Sequence, residues 1–279
     1  MTGAAGMLGA YLVKACAARG HEAIGLSHDQ LDVTDAAAVG DVVAELRPSA
    51  VVNCAAYTDV DRAESDEPGA MLINDSAAAT LAAAAASVGA TVVYPSSDYV
   101  FDGRNRRPYV ESDVTGPISA YGRSKQAGET SVAISNPQHL IVRTSWLFGL
   151  GGRNFVETML RLGREQPEVM VVADQVGCPT YARHLATAIA ELLESDDYGI
   201  HHLASSGSCS WYEFAQEIFD QADVECRVLY ATAAEMTRPA PRPAFSVLGT
   251  ERPRGTRLPS WRDGLREYLR ERERAGVPV

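Results

Sequence analysis

Short apolar runs alternate with longer amphipathic ones along the first half of the chain, and that rhythm predicts its elements. Residues 10–19 read as a helix stopped by Gly20, and residues 22–26 as a short apolar strand. Residues 39–46 read as a helix and 50–53 as a strand. An alanine-rich helix over 71–88 ends at Gly89, and 91–94 is the next strand. A helix from Pro117 to about residue 134 precedes a strand at 140–145. Short β-rich runs separated by helices predict an α/β fold, a doubly wound parallel sheet of Rossmann-like type.

The pattern loosens after Trp146. Residues 154–164, 184–193 and 211–221 look helical, 199–203 looks like one more strand, and 261–274 is a final helix rich in charge. Residues 238–243, Arg-Pro-Ala-Pro-Arg-Pro, read as a loop. We therefore expect residues 1–146 plus about 181–204 to form the sheet domain. About 147–180 plus 205–279 would form a smaller C-terminal lobe, with ligand between the two at the strand ends.

Chemistry enters first at the N-terminus, with Gly3, Gly6 and Gly9 opening the first helix. Glycines at this spacing allow a sharp turn and a close approach of bare backbone, and the helix end offers unpaired N–H groups to phosphates. An ordinary Gly/Ala-rich turn has the same composition. A signal peptide does not fit, because no basic region precedes the apolar stretch and Lys14 interrupts it. Such a loop should follow a strand, yet only Met1 and Thr2 precede Gly3, so the first strand is expected to be truncated.

Composition narrows the rest. At 279 residues, 46% hydrophobic and 22% charged, the chain can bury a sizeable core in one or two domains. A formal net charge of −11 with no basic stretch argues against a nucleic-acid partner. No apolar run is long enough to span a membrane. Five scattered cysteines without a C-x-x-C read as reduced thiols of a cytoplasmic protein, with no metal cluster evident.

Tyr121 and Lys125 lie one helical turn apart, so their side chains share a helix face. A cation beside a phenol favours the phenolate and would tune Tyr121 for proton transfer. A solvated helix face carries the same pair by chance. Ser97, just beyond the strand at 91–94, is placed at the edge of a parallel sheet where a hydroxyl can reach a carbonyl; serines also begin turns.

Taken together, the glycine spacing, Asn53-Cys-Ala-Ala56, Ser97 and the Tyr121/Lys125 pair resemble the extended short-chain dehydrogenase/reductases. Further segments resemble the branch that reduces dTDP-4-keto sugars: residues 53–64, Ser96-Ser-Asp-Tyr-Val-Phe101, residues 121–129, Arg143-Thr-Ser-Trp146, Asn154-Phe155, residues 174–180 and 259–263. The resemblance spans essentially the whole chain. It implies reduction of the C4 ketone of dTDP-4-dehydro-6-deoxy-L-mannose to dTDP-L-rhamnose by NADPH or NADH. Ser97, Tyr121 and Lys125 would be catalytic: Tyr121 gives the proton, Ser97 bonds the oxygen, and Lys125 tunes Tyr121 while holding the nicotinamide ribose.

The same resemblance assigns Gly3, Gly6, Met7, Leu8, Gly9, Asp32, Val33, Ala56, Tyr57 and Thr58 to the dinucleotide. It assigns Asp98, Tyr99, Trp146 and Arg242 to the sugar nucleotide. Core packing competes for Trp146, and a helix cap competes for Asp32. No carboxylate ends the second strand; Ser27 and His28 stand there instead, which favours NADPH. Departures from the branch are the missing first strand, Ser97 in place of a common threonine, and Phe245 in place of an asparagine. An epimerase or dehydratase of the same fold and a non-catalytic regulatory subunit are the rival readings. Asp98 followed by Tyr99, not by Glu, counts against a dehydratase, and the intact trio counts against a regulatory subunit. Monomer and homodimer are both compatible with the sequence.

Overall fold

The chain runs from α1 (Met7–Ala18) and α2 (Ala36–Leu46) to β1 (Ala50–Val52). Two short helices, α3 (Val60–Ala63) and α4 (Glu67–Met71), lead through a π-helical turn at Leu72–Ser76 into α5 (Ala77–Ser87). β2 (Thr91–Ser97), α6 (Ala120–Ser135) and β3 (His139–Thr144) follow. Then come β4 (Leu147–Phe148), α7 (Phe155–Glu165), β5 (Glu168–Val172), β6 (Val176–Gly177), β7 (Thr180–Tyr181) and α8 (Ala182–Leu192). β8 (Gly199–His202), β9 (Ser205–Ser206), β10 (Cys209–Ser210), α9 (Trp211–Ala222), β11 (Arg227–Ala231), β12 (Leu258–Ser260) and α10 (Trp261–Arg274) complete it. This computed structural model describes residues 1–253 and 255–276.

The central sheet has the order β1-β2-β3-β8, and every pairing is parallel. Its side chains alternate between two buried faces, as a two-residue period requires. Val52, Val93, Leu140 and Val142 face the core shared with α1 and α8. Val51, Val92, Tyr94 and Ile141 face the core shared with α2 and α5. Both faces are covered by helices, which is why these strands read as continuous apolar runs and why the Rossmann-like expectation holds.

The strand position before the glycine turn is taken by a short stub, Met1 and Thr2. Thr2 bridges in parallel to both Leu26 and Asn53. Thr2 donates from its backbone to Val52 O (3.0 Å), Leu26 to Met1 O (2.8 Å) and Cys54 to Thr2 O (3.2 Å). The row therefore reads Leu26, Thr2, β1, β2, β3, β8, and the chain reverses its direction of winding between Thr2 and β1. Residues 22–26 do not form the expected strand, because Met1 and Thr2 offer ladder partners only around Leu26. A hollow of about 400 Å³ opens beside this stub, lined by Met1, Ile24, Leu26, Val43 and Val51 among others.

Beyond β3, β5 and β11 pair in parallel, Glu168 against Arg227 through Val172 against Ala231. The sequence reading left both strands and the short helices α3 and α4 undetected. Five aromatic side chains, Phe148, Phe155, Tyr181, Phe214 and Tyr268, pack around α7, α9 and α10. Among the described residues no helix is long and apolar enough to cross a membrane.

Candidate active site

The glycine turn lies at the point where the sheet reverses its winding, the usual ligand crevice of open parallel sheets. Gly3 has φ +61°, and a Cβ there would sit 2.5 Å from Ala55 N on the neighbouring strand end. At Gly9 a Cβ would stand 2.4 Å from Gly3 O, so α1 packs on the turn only with glycine. Gly6 is the N-cap of α1 and no side chain caps that end. The first N–H groups of the helix are therefore free to meet an anion, and the cradle that a Cβ would fill fits a dinucleotide pyrophosphate. Leu8 is buried in the core and has only its N–H to offer there, while Met7 lies against Gly149 and Gly152.

Ser97 ends β2 and Tyr121 begins α6, so the sheet edge and the helix meet at their hydroxyls. The Ser97 hydroxyl lies beside the Tyr121 phenol. It also donates to Asp98 Oδ1 (3.1 Å) and accepts from Tyr99 N (3.1 Å), so it caps the turn at Asp98–Val100 as well. Tyr99 packs edge-on to Tyr121, with ring centroids 5.8 Å apart. Burial pushes the Tyr121 phenol up to about 12; the neighbouring Ser97 hydroxyl opposes this and the Asp98 charge adds to it.

Lys125 is placed differently from expectation. Its Nζ donates to Pro95 O (2.7 Å) and lies 3.9 Å above the Tyr94 ring. Burial lowers its ammonium to about 7, with Glu129 and then Cys54 acting the other way. Its charge does not depress the Tyr121 phenol. Sharing a helix face brings two side chains near, but a buried carbonyl and an aromatic face claimed the ammonium first.

Groups to which the sequence reading gave no individual role hold this arrangement. Asn74, in the π-helical turn, accepts from Tyr57 N (2.9 Å) and donates to Tyr57 O (3.0 Å) and Ser124 Oγ (2.9 Å). It thereby ties the Ala56-Tyr57-Thr58 loop to α6. Behind Ser97, Arg143 donates to both oxygens of Glu129 (2.9 and 2.7 Å), and Ser96 donates to the same carboxylate (2.5 Å). Burial with three such bonds leaves Glu129 fully engaged. An asparagine interrupting an alanine-rich helix was the one local signal for any of these.

A cleft of about 900 Å³ opens beside Tyr99, lined by Asp61, Arg153, Gln175, Trp211, Arg238 and Arg242 among others. Arg242 reaches it already engaged: its two Nη atoms donate to Asp61 Oδ1 (3.0 Å) and Oδ2 (2.9 Å). Trp146 stacks flat on Trp211, centroids 3.4 Å apart, and adopts φ +47°. A Cβ at Gly177 would strike its ring at 2.5 Å. Trp146 is thus partly buried behind Trp211, the indole that lines the cleft. Asp32 is neither a cap nor buried: it folds back on Thr34 N (2.9 Å), while Asp35 caps α2. Val33 is buried in the apolar core.

The comparisons with known proteins cover this whole frame. A family model described as RmlD substrate binding domain matches residues 1–274. The chain belongs to the RmlD substrate-binding family. A dTDP-4-dehydrorhamnose reductase of Streptomyces griseus is 42% identical, covering 100% of this chain and 95% of the relative. A probable dTDP-4,6-dihydroxy-2-methyloxan-3-one 4-ketoreductase of Streptomyces antibioticus is 46% identical over 96% of this chain and 92% of its own length. Among solved structures, a Bacillus anthracis dTDP-4-dehydrorhamnose reductase in complex with NADP superposes with a TM-score of 0.94 at 41% identity, covering 97% of each chain.

RmlD membership bears out the resemblance read from the sequence motifs. The family match spans the glycine turn, Ser97, Tyr121 and the cleft residues alike. Among the described residues no group of three or more His, Cys, Asp or Glu is placed to hold a metal ion.

Proposed function

We propose that this chain reduces the C4 ketone of dTDP-4-dehydro-6-deoxy-L-mannose to dTDP-L-rhamnose with NADPH. The observation that carries the proposal is the meeting of Ser97, at the end of β2, with Tyr121, at the start of α6, beside a glycine cradle at the winding reversal. NADPH, when bound, supplies the hydride. Gly3, Gly6 and Gly9 with the free N–H groups of α1 would hold its pyrophosphate, the 56–58 loop its adenosine side, and Lys125 its nicotinamide ribose.

The chain's own residues do the proton chemistry. A phenol raised to about 12 is fully protonated at neutral pH, so Tyr121 arrives with its proton in place. An alkoxide is more basic still and takes that proton as it forms. With substrate bound, the Ser97 hydroxyl would turn from Asp98 Oδ1 to donate to the same oxygen. Arg242, Arg238 and Arg153 give the cleft three guanidinium groups suited to a nucleoside diphosphate, and Trp211 gives it an aromatic wall. Residues 1–146 with about 181–204 serve as the dinucleotide half, and the remainder as the substrate half.

The test is incubation with the dTDP-4-keto sugar and NADPH, following loss of dihydronicotinamide absorbance and identifying the sugar formed. Stoichiometric oxidation with a dTDP-6-deoxyhexose product supports the reading. Recycled cofactor with no net oxidation would replace it with an epimerase. Tyr121→Phe should lower kcat about 10²-fold or more while leaving the NADPH Kd unchanged.

A further inference from the structure

The loop that leads from β4 into α7 reaches both the glycine cradle and the cleft. Its glycines lie against Met7, the first residue of α1. A Cβ at Gly152 would stand 3.0 Å from Met7 Cε, and one at Gly149 3.4 Å from Met7 Cγ. The next residue, Arg153, lines the cleft. Asn154 closes the loop from its far end, donating from Nδ2 to Gly149 O (2.9 Å) and Gly152 O (3.2 Å). Its Oδ1 accepts from Glu157 N (3.1 Å) and so caps α7.

A phenol fastens the middle of this loop to the body of the protein. Leu150 N donates to the Tyr11 oxygen (3.1 Å). Tyr11 in turn donates to Glu271 Oε2 on α10, and Tyr181, at the end of β7, donates to the same oxygen. Arg183 holds the other oxygen of that carboxylate. The two phenol rings are buried edge-on to each other, with centroids 5.9 Å apart. Of the two, Tyr11 is the one bonded to the loop. A core phenylalanine would fill the same space, so the Tyr11 oxygen needs its own account. Donating to a carboxylate aims the phenol hydrogen at α10, leaves a lone pair for Leu150 N and makes the oxygen a better acceptor. Burial and then the Glu271 bond push this phenol up to about 12, so it remains a neutral donor at working pH.

We propose that Tyr11 is a positioning residue for both ligands: its phenol pins the 149–153 loop, which packs on the cofactor cradle at Met7 and presents Arg153 to the sugar nucleotide.

This rests on the reading of the glycine turn and the cleft as the NADPH and dTDP-sugar sites. Tyr11 touches neither ligand there and acts through the loop. Without the phenol oxygen, Leu150 N loses its partner, and each ligand must order the loop as it binds.

Two substitutions separate positioning from plain core packing. Tyr11→Phe and Tyr181→Phe each keep a buried ring and each take one donor from Glu271, so both should lower the melting temperature. Tyr11→Phe should also raise the Kd of NADPH and of dTDP about threefold to tenfold each, the worth of one hydrogen bond. Its kcat at saturation should be retained, because no reacting atom is touched. Tyr181→Phe should bind both ligands like the unsubstituted protein. Amide exchange at Leu150 gives a readout that needs no ligand: it should quicken in Tyr11→Phe and stay slow in Tyr181→Phe. Equal Kd shifts in the two variants would reduce the effect to packing and overturn the proposal. So would unchanged affinities in Tyr11→Phe, or a shift for one ligand alone. If the unsubstituted protein binds neither NADPH nor dTDP, the reading of the two sites fails and takes the proposal with it, a result distinct from the others.

Discussion

Burial drives Asp98 and Lys125 towards the same pH from opposite sides, and that has a cost in stability. Asp98 is raised from 3.8 to about 7, so the folded form holds more protons than the unfolded between those values. By linkage, stability falls as pH climbs through that window and is lowest, for this group, above 7. Lys125 is lowered from 10.5 to about 7, so its penalty is present below 7 and fades as pH rises towards 10.5. Asp98→Asn removes the first penalty alone. It should raise unfolding free energy at pH 8 by on the order of 2–4 kcal/mol, with little change at pH 4. Thermal denaturation of both proteins at the two pH values measures this, and an equal shift at both would contradict a raised Asp98.

At the scale of elements, the glycine turn meets α1 with no room for a side chain. A methyl at Gly9 would stand 2.4 Å from Gly3 O, whereas at Gly40, inside α2, nothing lies within 4 Å. Gly9→Ala should therefore force α1 off the turn, cost about 1–3 kcal/mol and weaken NADPH binding at least tenfold. Gly40→Ala should stabilise by about 0.4–1 kcal/mol and leave binding alone. Calorimetry and fluorescence titration of the two variants would separate these outcomes, and matched losses would show that the turn is not special. Elements like α1, β2 and β3 were legible because a two-face apolar period or a glycine spacing is written locally. So was the placement of Ser97 and Tyr121, since a strand end and a helix start are local facts. The direction of Lys125 was not legible: it depends on Tyr94 and Pro95, a strand away. Nor were β5 and β11, whose pairing joins distant segments, or Glu129 with Arg143, whose value lies in a contact the linear pattern does not mark.

At the scale of the whole molecule, an ion pair reaches across the cleft: Asp61 in α3 and Arg242 on the 238–243 loop make a bidentate contact there. Arg242 is 11% exposed at its side chain and Asp61 37%, which limits the pair to about 1 kcal/mol of net stability. A nucleoside diphosphate entering the cleft competes with Asp61 for the same guanidinium. Asp61→Asn keeps an acceptor for Ala240 N, and Arg242 keeps its bond to Ala240 O (2.9 Å), so the loop stays in place without the competing charge. dTDP should then bind about 3- to 10-fold tighter to Asp61→Asn, whereas Arg242→Ala should bind it at least tenfold more weakly. The gain should shrink as salt is raised, since the released guanidinium is partly exposed. Titration calorimetry with dTDP decides between the two roles open to Asp61. If both variants lose affinity alike, Asp61 aims Arg242 at the diphosphate and does not occupy it.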